Sequence, residues 1–441
     1  MPRYEPSDAL YVDLYQLTMA QAYLRSGHTD EATFSLFVRT LPPDRGYLLF
    51  AGLEDVLRYL EKLRFTPGDL DYLRSAGQFG DDLIDYLAGI RFTGSVRAMA
   101  EGTPFFANEP VIEVTAPVIE SQLVETFLIN QVNMQSLFAT KAARVVQAAD
   151  GAGVADFASR RTHGTDAGNK FARASYLGGF IGTSNVGAGA LYGIPTIGTM
   201  AHSFITSFGT EIAAFRAYAS AFPDSTTLLV DTYDTGKGIE AAITVAHEME
   251  SRGRRMAGIR LDSGDLGALS RIARQMLDDA GLSYVQIVAS GGLDEFSIAA
   301  LAKAGAPIGA YGVGTKAGVS ADAPWSDAAY KQVTYAGKPV AKFSSGKATF
   351  PGAKQVWRCF DEGDEKVSHD HLTSAIADAP ERNAVPLLSE VMRDGKRISE
   401  LPPLEQVRER VRVELGRLPA SGLALSGPTE FQVFVSGELA D

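Results

Sequence analysis

From residue 153 to about residue 325 the chain alternates short β-rich runs with amphipathic helical stretches. That alternation restricts the fold more than any other feature. The β-rich runs fall at 154–158, 194–199, 226–230, 257–261, 285–289 and 308–313, and the helical patterns are clearest at 236–250, 266–280 and 294–304. Strands separated by helices in βα units pair in parallel, because a parallel crossover needs a dozen or more residues and a helix supplies them. Six such units without a pause favour closure into a barrel over a pair of half-sheets. In a barrel of that kind every strand ends on the same face, so whatever follows the strands converges there.

The flanking segments read differently. Before the repeat, the pattern predicts helices at 11–26 and 52–63 and strands at 32–38, 94–100 and 110–114. Pro117 then opens a helical pattern running to about 149, with proline well placed in a first turn. After residue 325 come short strands at 332–335, 338–343 and 355–360 and a helix at 404–415. A chain of 441 residues exceeds the usual single-domain ceiling of roughly 250–300. The expected fold is therefore α/β: an irregular TIM-like α/β barrel over 118–325, with a second α/β domain formed by the N-terminal segment 1–117 and the C-terminal segment 326–441 packed against it.

Charge narrows the partners. Forty-one basic against 53 acidic residues leave a net charge of −12, which disfavours nucleic acid or an anionic membrane as a partner. Any bound anion must meet a local cluster of donors. The single cysteine, Cys359, excludes an internal disulfide and a Cys-rich metal site. The start, Met1-Pro2-Arg3-Tyr4-Glu5, lacks the apolar stretch of a signal peptide. Residues 174–210 carry no Lys, Arg, Asp or Glu, yet Gly178, Gly179, Gly182, Gly187, Gly189 and Gly193 interrupt any spanning run. A soluble cytoplasmic protein is the expectation.

Chemistry collects after the strands. The segments there are Asp156-Phe157-Ala158-Ser159-Arg160-Arg161, Thr199-Met200-Ala201-His202, Asp231-Thr232-Tyr233-Asp234, Arg260-Leu261-Asp262-Ser263-Gly264, Ser290-Gly291-Gly292 and Gly312-Val313-Gly314-Thr315-Lys316. Strand-end Asp and Gly also serve as helix caps and tight turns, so each taken alone has that second reading. The last two loops suit an oxyanion. Ser290, Gly291, Gly292, Gly314 and Thr315 let backbone N–H groups approach closely, and late barrel loops commonly bind phosphate.

Several ordered motifs resemble one family along nearly the whole chain. They are Tyr11-Val12-Asp13-Leu14-Tyr15-Gln16-Leu17-Thr18-Met19, Phe37-Val38-Arg39-Thr40-Leu41-Pro42 and Gly46-Tyr47-Leu48-Leu49-Phe50-Ala51-Gly52-Leu53. Ala139-Thr140-Lys141-Ala142-Ala143-Arg144, Gly198-Thr199-Met200-Ala201-His202-Ser203-Phe204, Ile259-Arg260-Leu261-Asp262-Ser263-Gly264-Asp265-Leu266 and Gly352-Ala353-Lys354-Gln355-Val356-Trp357-Arg358 follow. The chain resembles nicotinate phosphoribosyltransferases. The resemblance implies a type II phosphoribosyltransferase fold and a homodimer with shared active sites. It also implies ATP-coupled transfer of phosphoribosyl from phosphoribosyl pyrophosphate to nicotinate with Mg²⁺, giving nicotinate mononucleotide and pyrophosphate in NAD salvage.

The same resemblance implies roles. His202 matches a histidine that the family phosphorylates from ATP, and neutral imidazole is a competent nucleophile near neutral pH. His163, later in its loop, is the rival. Of Asp231 and Asp234, one would orient His202 and the other hold Mg²⁺, with Asp234 the metal candidate. Arg260 and Asp262 match a segment contacting nicotinate and ribose, and a structural ion pair between them is the alternative. Phe157 and Tyr15 match aromatics bracketing the pyridine, Tyr15 from the partner subunit. Arg160 matches a substrate-contacting arginine, and Arg161 and Lys141 are candidates to neutralise pyrophosphate. Ser184 stands where related nicotinamide enzymes carry an Asp, which predicts a preference for nicotinate. Two readings compete: a quinolinate phosphoribosyltransferase, which shares the fold and needs no ATP, and a non-catalytic barrel sensing phosphoribosyl pyrophosphate or nicotinate.

Overall fold

The repeat predicted from residue 153 onward folds as six parallel strands: β1 (Gly153–Asp156), β2 (Gly182–Thr183), β3 (Thr227–Leu229), β4 (Gly258–Leu261), β5 (Gln286–Ser290) and β6 (Ala310–Val313). The computed structural model describes residues 5–342, 349–361 and 366–440. The chain divides into two units, one of residues 138–324 and one of residues 1–137 with 325–441.

In the 138–324 unit the strands lie in the order β2-β1-β6-β5-β4-β3. They read as continuous apolar runs because both faces are covered: Val154, Ile259, Leu261, Ile287, Ala289 and Val313 are all buried. Helices Thr235–Glu250, Leu266–Asp279 and Glu295–Lys303 follow β3, β4 and β5. Each begins on an aspartate that accepts a backbone N–H: Asp234 from Lys237 at 2.9 Å, Asp265 from Ala268 at 3.0 Å and Asp294 from Ser297 at 2.8 Å. Each cap contributes about 1 kcal/mol. The capping reading of strand-end acids therefore holds for these three.

The strand expected at 194–199 is not there. Thr196 makes one isolated parallel bridge to Thr183 of β2, the short strand the sequence pattern missed. Pro195 has no N–H to give a ladder, Gly193 precedes the run and Gly198 interrupts it. Among the described residues no ladder joins β2 to β3, the two edges. Side chains bring them together instead. An Arg260 Nη1 at the end of β4 donates to Thr199 Oγ1, and His202 Nδ1 lies 3.1 Å from Thr232 Oγ1 beyond β3. The segment leaving the β2 edge thus touches the loops leaving the opposite edge, so the sheet curls on itself as an irregular α/β barrel.

In the other unit, strands from both chain ends share a seven-stranded sheet. Ala328–Tyr335 pairs antiparallel with Glu31–Val38, and Ser389–Arg393 with Ser95–Ala98. A second sheet joins Lys354–Phe360, Val367–Ser374, Val385–Pro386 and Val433–Val435. The first boundary falls at 137/138, later than the 117/118 read from sequence. The helical pattern after Pro117 splits into Val118–Leu123 and Glu125–Ala148, and the first part of the long helix is tied to its own unit. Gln135 Nε2 donates to Asp55 Oδ2 at 2.8 Å, and the Ala51 N–H donates to Ser136 Oγ at 3.2 Å. Of the strand expected at 338–343, Lys338–Pro339 forms, and residue 343 lies outside the described residues. No described helix is long and apolar enough to cross a membrane.

Candidate active site

His202 begins the short helix His202–Thr206 at the strand-end face of the 138–324 unit. Its side chain is 43% exposed, so a soluble reactant can reach it. Nδ1 lies 3.1 Å from Thr232 Oγ1, and Nε2 stands 3.8 Å from Asp262 Oδ2. Thr232, adjacent to the Asp231 singled out in the sequence, is thus the group on the second ring nitrogen. This corrects the expectation that Asp231 or Asp234 orients the imidazole.

Asp231 organises the neighbouring loop instead. Its Oδ2 accepts the Asp262 N–H at 2.8 Å and the Ser263 hydroxyl at 2.7 Å. Asp262 Oδ1 in turn accepts from Ser290 Oγ at 2.5 Å, which links the β4 and β5 loops. Gly291 makes that approach possible: a Cβ there would sit 1.9 Å from the Asp262 carbonyl oxygen, and its φ of +97° disfavours any other residue. His202, Asp262, Ser290 and Gly291 therefore share one mouth. Gly314 caps the short helix Thr315–Gly318 behind β6, with Thr315 exposed beside it.

The charges around this mouth are mixed. Burial pushes the Arg260 guanidinium down from its ordinary value, Asp262 and Asp231 oppose that, and nearby Arg160 pushes it further down. Two guanidinium groups so placed concentrate positive charge within an acidic protein. Arg161 is exposed on the same Ser159–Arg161 turn. On the acidic side, Asp231 Oδ1 and Glu211 Oε1 are buried without a hydrogen-bond partner. Burial, then Asp231 and Asp234, hold the Glu211 carboxyl above its usual range. These orphaned carboxylate oxygens suit a hard divalent cation. Asp234, the metal candidate from sequence, has one oxygen engaged as a helix cap.

Phe157 packs over β6. A Cβ on Gly312 would meet its ring at 2.4 Å, so the glycine is what lets the aromatic approach the strand this closely. The preceding residue, Asp156, is buried, accepting from the Thr183 hydroxyl at 2.6 Å and the Ala158 N–H at 2.7 Å. Burial pushes its carboxyl up to about 6, with those two hydrogen bonds opposing. Between about pH 4 and 6 the folded chain therefore holds a proton that the unfolded chain has released. This group's contribution to stability falls as pH rises through that window, by up to about 3 kcal/mol. Asp156→Asn should remove the loss. Denaturant unfolding should show the variant gaining on the wild type from pH 4 to 6 and levelling off above, whereas a constant difference would contradict the assignment.

Ser184 is exposed just beyond β2, its N–H donating to the Asp156 carbonyl at 2.8 Å. Lys141 does not serve the mouth. Its Nζ is buried between Glu295 and Asp322, 2.5 Å from each, so both acids already neutralise it and no pyrophosphate reaches it. Tyr15 belongs to the other unit, where it is largely exposed and donates its hydroxyl to Glu125 at 3.0 Å. His163 is exposed in its loop.

Comparison with known proteins gives this mouth a context. The family model for the nicotinate phosphoribosyltransferase (NAPRTase) N-terminal domain matches residues 10–133, that for the NAPRTase family residues 153–343, and that for the C-terminal domain residues 377–441. A nicotinate phosphoribosyltransferase of Mycobacterium tuberculosis is 49% identical over 438 residues, 98% of this chain and 93% of the relative. The chain belongs to the nicotinate phosphoribosyltransferase family. A Bacillus subtilis member is 43% identical over 91% of this chain and 80% of its own. The crystal structure of human nicotinic acid phosphoribosyltransferase superposes with a TM-score of 0.87 at 30% identity, covering 97% of this chain and 98% of that one. As a member of the nicotinate phosphoribosyltransferase family, the chain is an enzyme of NAD salvage from nicotinate.

Three further residues enter from the geometry: Thr232, Thr199 and Glu211. Thr232 and Thr199 sit inside segments the sequence had singled out, hidden by more conspicuous neighbours. Glu211 follows the charge-free stretch and opens helix Glu211–Ala221, so its sequence signal was that of a helix start.

Proposed function

We propose that this enzyme transfers phosphoribosyl from phosphoribosyl pyrophosphate to nicotinate, giving nicotinate mononucleotide and pyrophosphate, and couples the transfer to ATP hydrolysis through a phosphohistidine at His202. The observation that carries the reading is the exposed imidazole poised between Thr232 and Asp262 in the mouth that Gly291 opens. With the Nδ1 proton donated to Thr232, the lone pair resides on Nε2. That nitrogen forms a bond to the γ-phosphorus of ATP as the bond to the β-phosphate oxygen breaks and ADP leaves. Asp262 steadies the positive charge the ring acquires. Water later cleaves the labile N–P bond and returns the neutral imidazole.

The rest of the mouth divides the substrates by charge. Arg160, Arg260 and exposed Arg161 attract pyrophosphate, and the Ser290-Gly291-Gly292 and Gly314-Thr315 turns offer backbone N–H groups to the sugar phosphate. Asp231 and Glu211 would hold Mg²⁺, which, when bound, offsets charge on the leaving pyrophosphate. Phe157 provides an aromatic face for the pyridine. Tyr15 would complete the bracket from a second subunit of a homodimer. Leu14, Tyr15 and Met19 are exposed on helix Leu14–Ser26 and Tyr11 is exposed just before it, an apolar face that suits burial against another copy. The protein's place would be the cytoplasm.

Incubation with nicotinate, phosphoribosyl pyrophosphate, ATP and Mg²⁺ should yield nicotinate mononucleotide and ADP. Product without ATP stimulation would refute the coupling. Ser184 bears on the base. A carboxylate there would repel nicotinate by several kcal/mol on the order-of-magnitude scale of a desolvated pair. Wild type should show a higher kcat/KM for nicotinate than for nicotinamide, and Ser184→Asp should lower the nicotinate value at least about tenfold. Equal values for the two bases would remove Ser184 from specificity.

A further inference from the structure

The unit built from both chain ends holds a second cluster of chemistry-bearing side chains, which the transferase reaction does not use. Strands Lys354–Phe360 and Val367–Ser374 pair antiparallel with Cys359 opposite His369 and Trp357 opposite His371. Side chains alternate across a strand, so Cys359, His369 and His371 share one face. Arg358 and Asp370, the intervening pair, form a buried ion pair of 2.8 Å on the other. Glu381 reaches the first face from the segment beyond the second strand. Its Oε1 lies 3.2 Å from His369 Nε2 and 3.9 Å from His371 Nε2. One ligand atom from each of the four residues falls within 4.8 Å of all the others.

We propose that Cys359, His369, His371 and Glu381 form a binding site for a zinc-class divalent ion. One sulfur, two imidazole nitrogens and a carboxylate oxygen are borderline-soft donors of the kind tetrahedral zinc takes, and they do not suit Mg²⁺. A tetrahedral ion with bonds of about 2.0–2.3 Å separates its ligands by about 3.3–3.8 Å, so side-chain rotation of about 1 Å closes the set. The surroundings already orient the donors. Ser368 Oγ lies 2.9 Å from His369 Nδ1 and donates to the Cys359 carbonyl at 3.3 Å. Accepting the Nδ1 proton leaves the Nε2 lone pair aimed at the cluster centre, the outer-shell arrangement typical of metal-binding histidines. Phe434 of the adjoining strand stacks on His371 with centroids 5.2 Å apart and meets His369 edge-on at 5.1 Å. Cys359 is fully buried, so the cluster has a dry floor, with Glu381 on the solvent side. Four protein ligands leave no open position, which makes the ion structural: it would pin the loop bearing Glu381 to the strand pair.

The test uses the tag-free full-length chain. Elemental analysis after purification should find about one zinc per chain, in the ratio set by a single four-ligand site. Cobalt added to the chelator-stripped chain should give tetrahedral d–d bands and a thiolate-to-cobalt charge-transfer band. Cys359→Ser should lose the charge-transfer band, and His371→Gln should weaken cobalt binding at least tenfold. Glu381→Gln lies on the solvent side and leaves the core intact, so it guards against variants that merely misfold. It too should weaken binding at least tenfold with an unchanged circular dichroism spectrum. A wild-type chain that takes up no zinc or cobalt, or binding unaltered in Glu381→Gln and Cys359→Ser, would overturn the site and leave a hydrogen-bonded cluster without a cation.

Discussion

His202→Ala should remove the stimulation of nicotinate turnover by ATP and lower kcat/KM by on the order of a hundredfold or more, about 3 kcal/mol of barrier. Alanine deletes the exposed imidazole, while its neighbours keep their own anchors. Asp262 stays held by the Ser290 hydroxyl, and its N–H stays on Asp231. The fold should therefore survive, and thermal unfolding should be nearly unchanged. Residual, ATP-independent transfer at the level set by positioning alone is the expected remainder. Full ATP stimulation in the variant would remove His202 from the mechanism.

Gly291→Ala should be nearly as damaging, for a different reason. The added methyl would meet the Asp262 carbonyl at 1.9 Å, and the positive φ of +97° costs a further 1–3 kcal/mol or so in strain. Relief requires the β4 and β5 loops to part, which moves Asp262 away from both Ser290 and His202. Displacements of about 1 Å at such a site cost on the order of a hundredfold in rate. The neighbouring Gly292 is the control. Its φ is also positive, at +68°, but a Cβ there meets nothing within 4 Å. Gly292→Ala should lose little beyond backbone strain, on the order of 1 kcal/mol. Equal kcat/KM losses for the two variants would show that the close loop approach does not matter to turnover.

How far the sequence disclosed this arrangement can be followed residue by residue. The barrel strands were legible because continuous Val, Ile and Leu runs between helical patterns have few other uses, and five of the six predicted runs form strands. The failure at 194–199 is instructive. The Ile and Thr residues of that run suit a strand, but Pro195 and Gly198 inside it allow only one bridge, and the strand that does form, Gly182–Thr183, is too short to show a period. Asp262, Ser290 and Gly291 were legible by position because parallel strands end together, and His202 reaches them from the segment that bridges to β2. Their individual hydrogen bonds were not. Asp231 looked like a partner for imidazole and instead binds a backbone N–H, a choice set by loop conformation that leaves no trace in residue type. Lys141 misled through its charge. A lysine at a helix position gives no hint that Glu295 and Asp322, more than 150 residues away in sequence, enclose it. The Cys359 cluster was invisible for a related reason, since strand register and a distant loop assemble it.

The measurement closest to the centre of the account is transfer of labelled phosphate from [γ-³²P]ATP to the purified protein, with the labelled residue located by mass spectrometry. Acid-labile, base-stable label on His202 of the wild type, absent from His202→Ala, is the predicted result. Label that persists in His202→Ala, or a wild type that hydrolyses ATP during turnover and never carries phosphate on this ring, would contradict it.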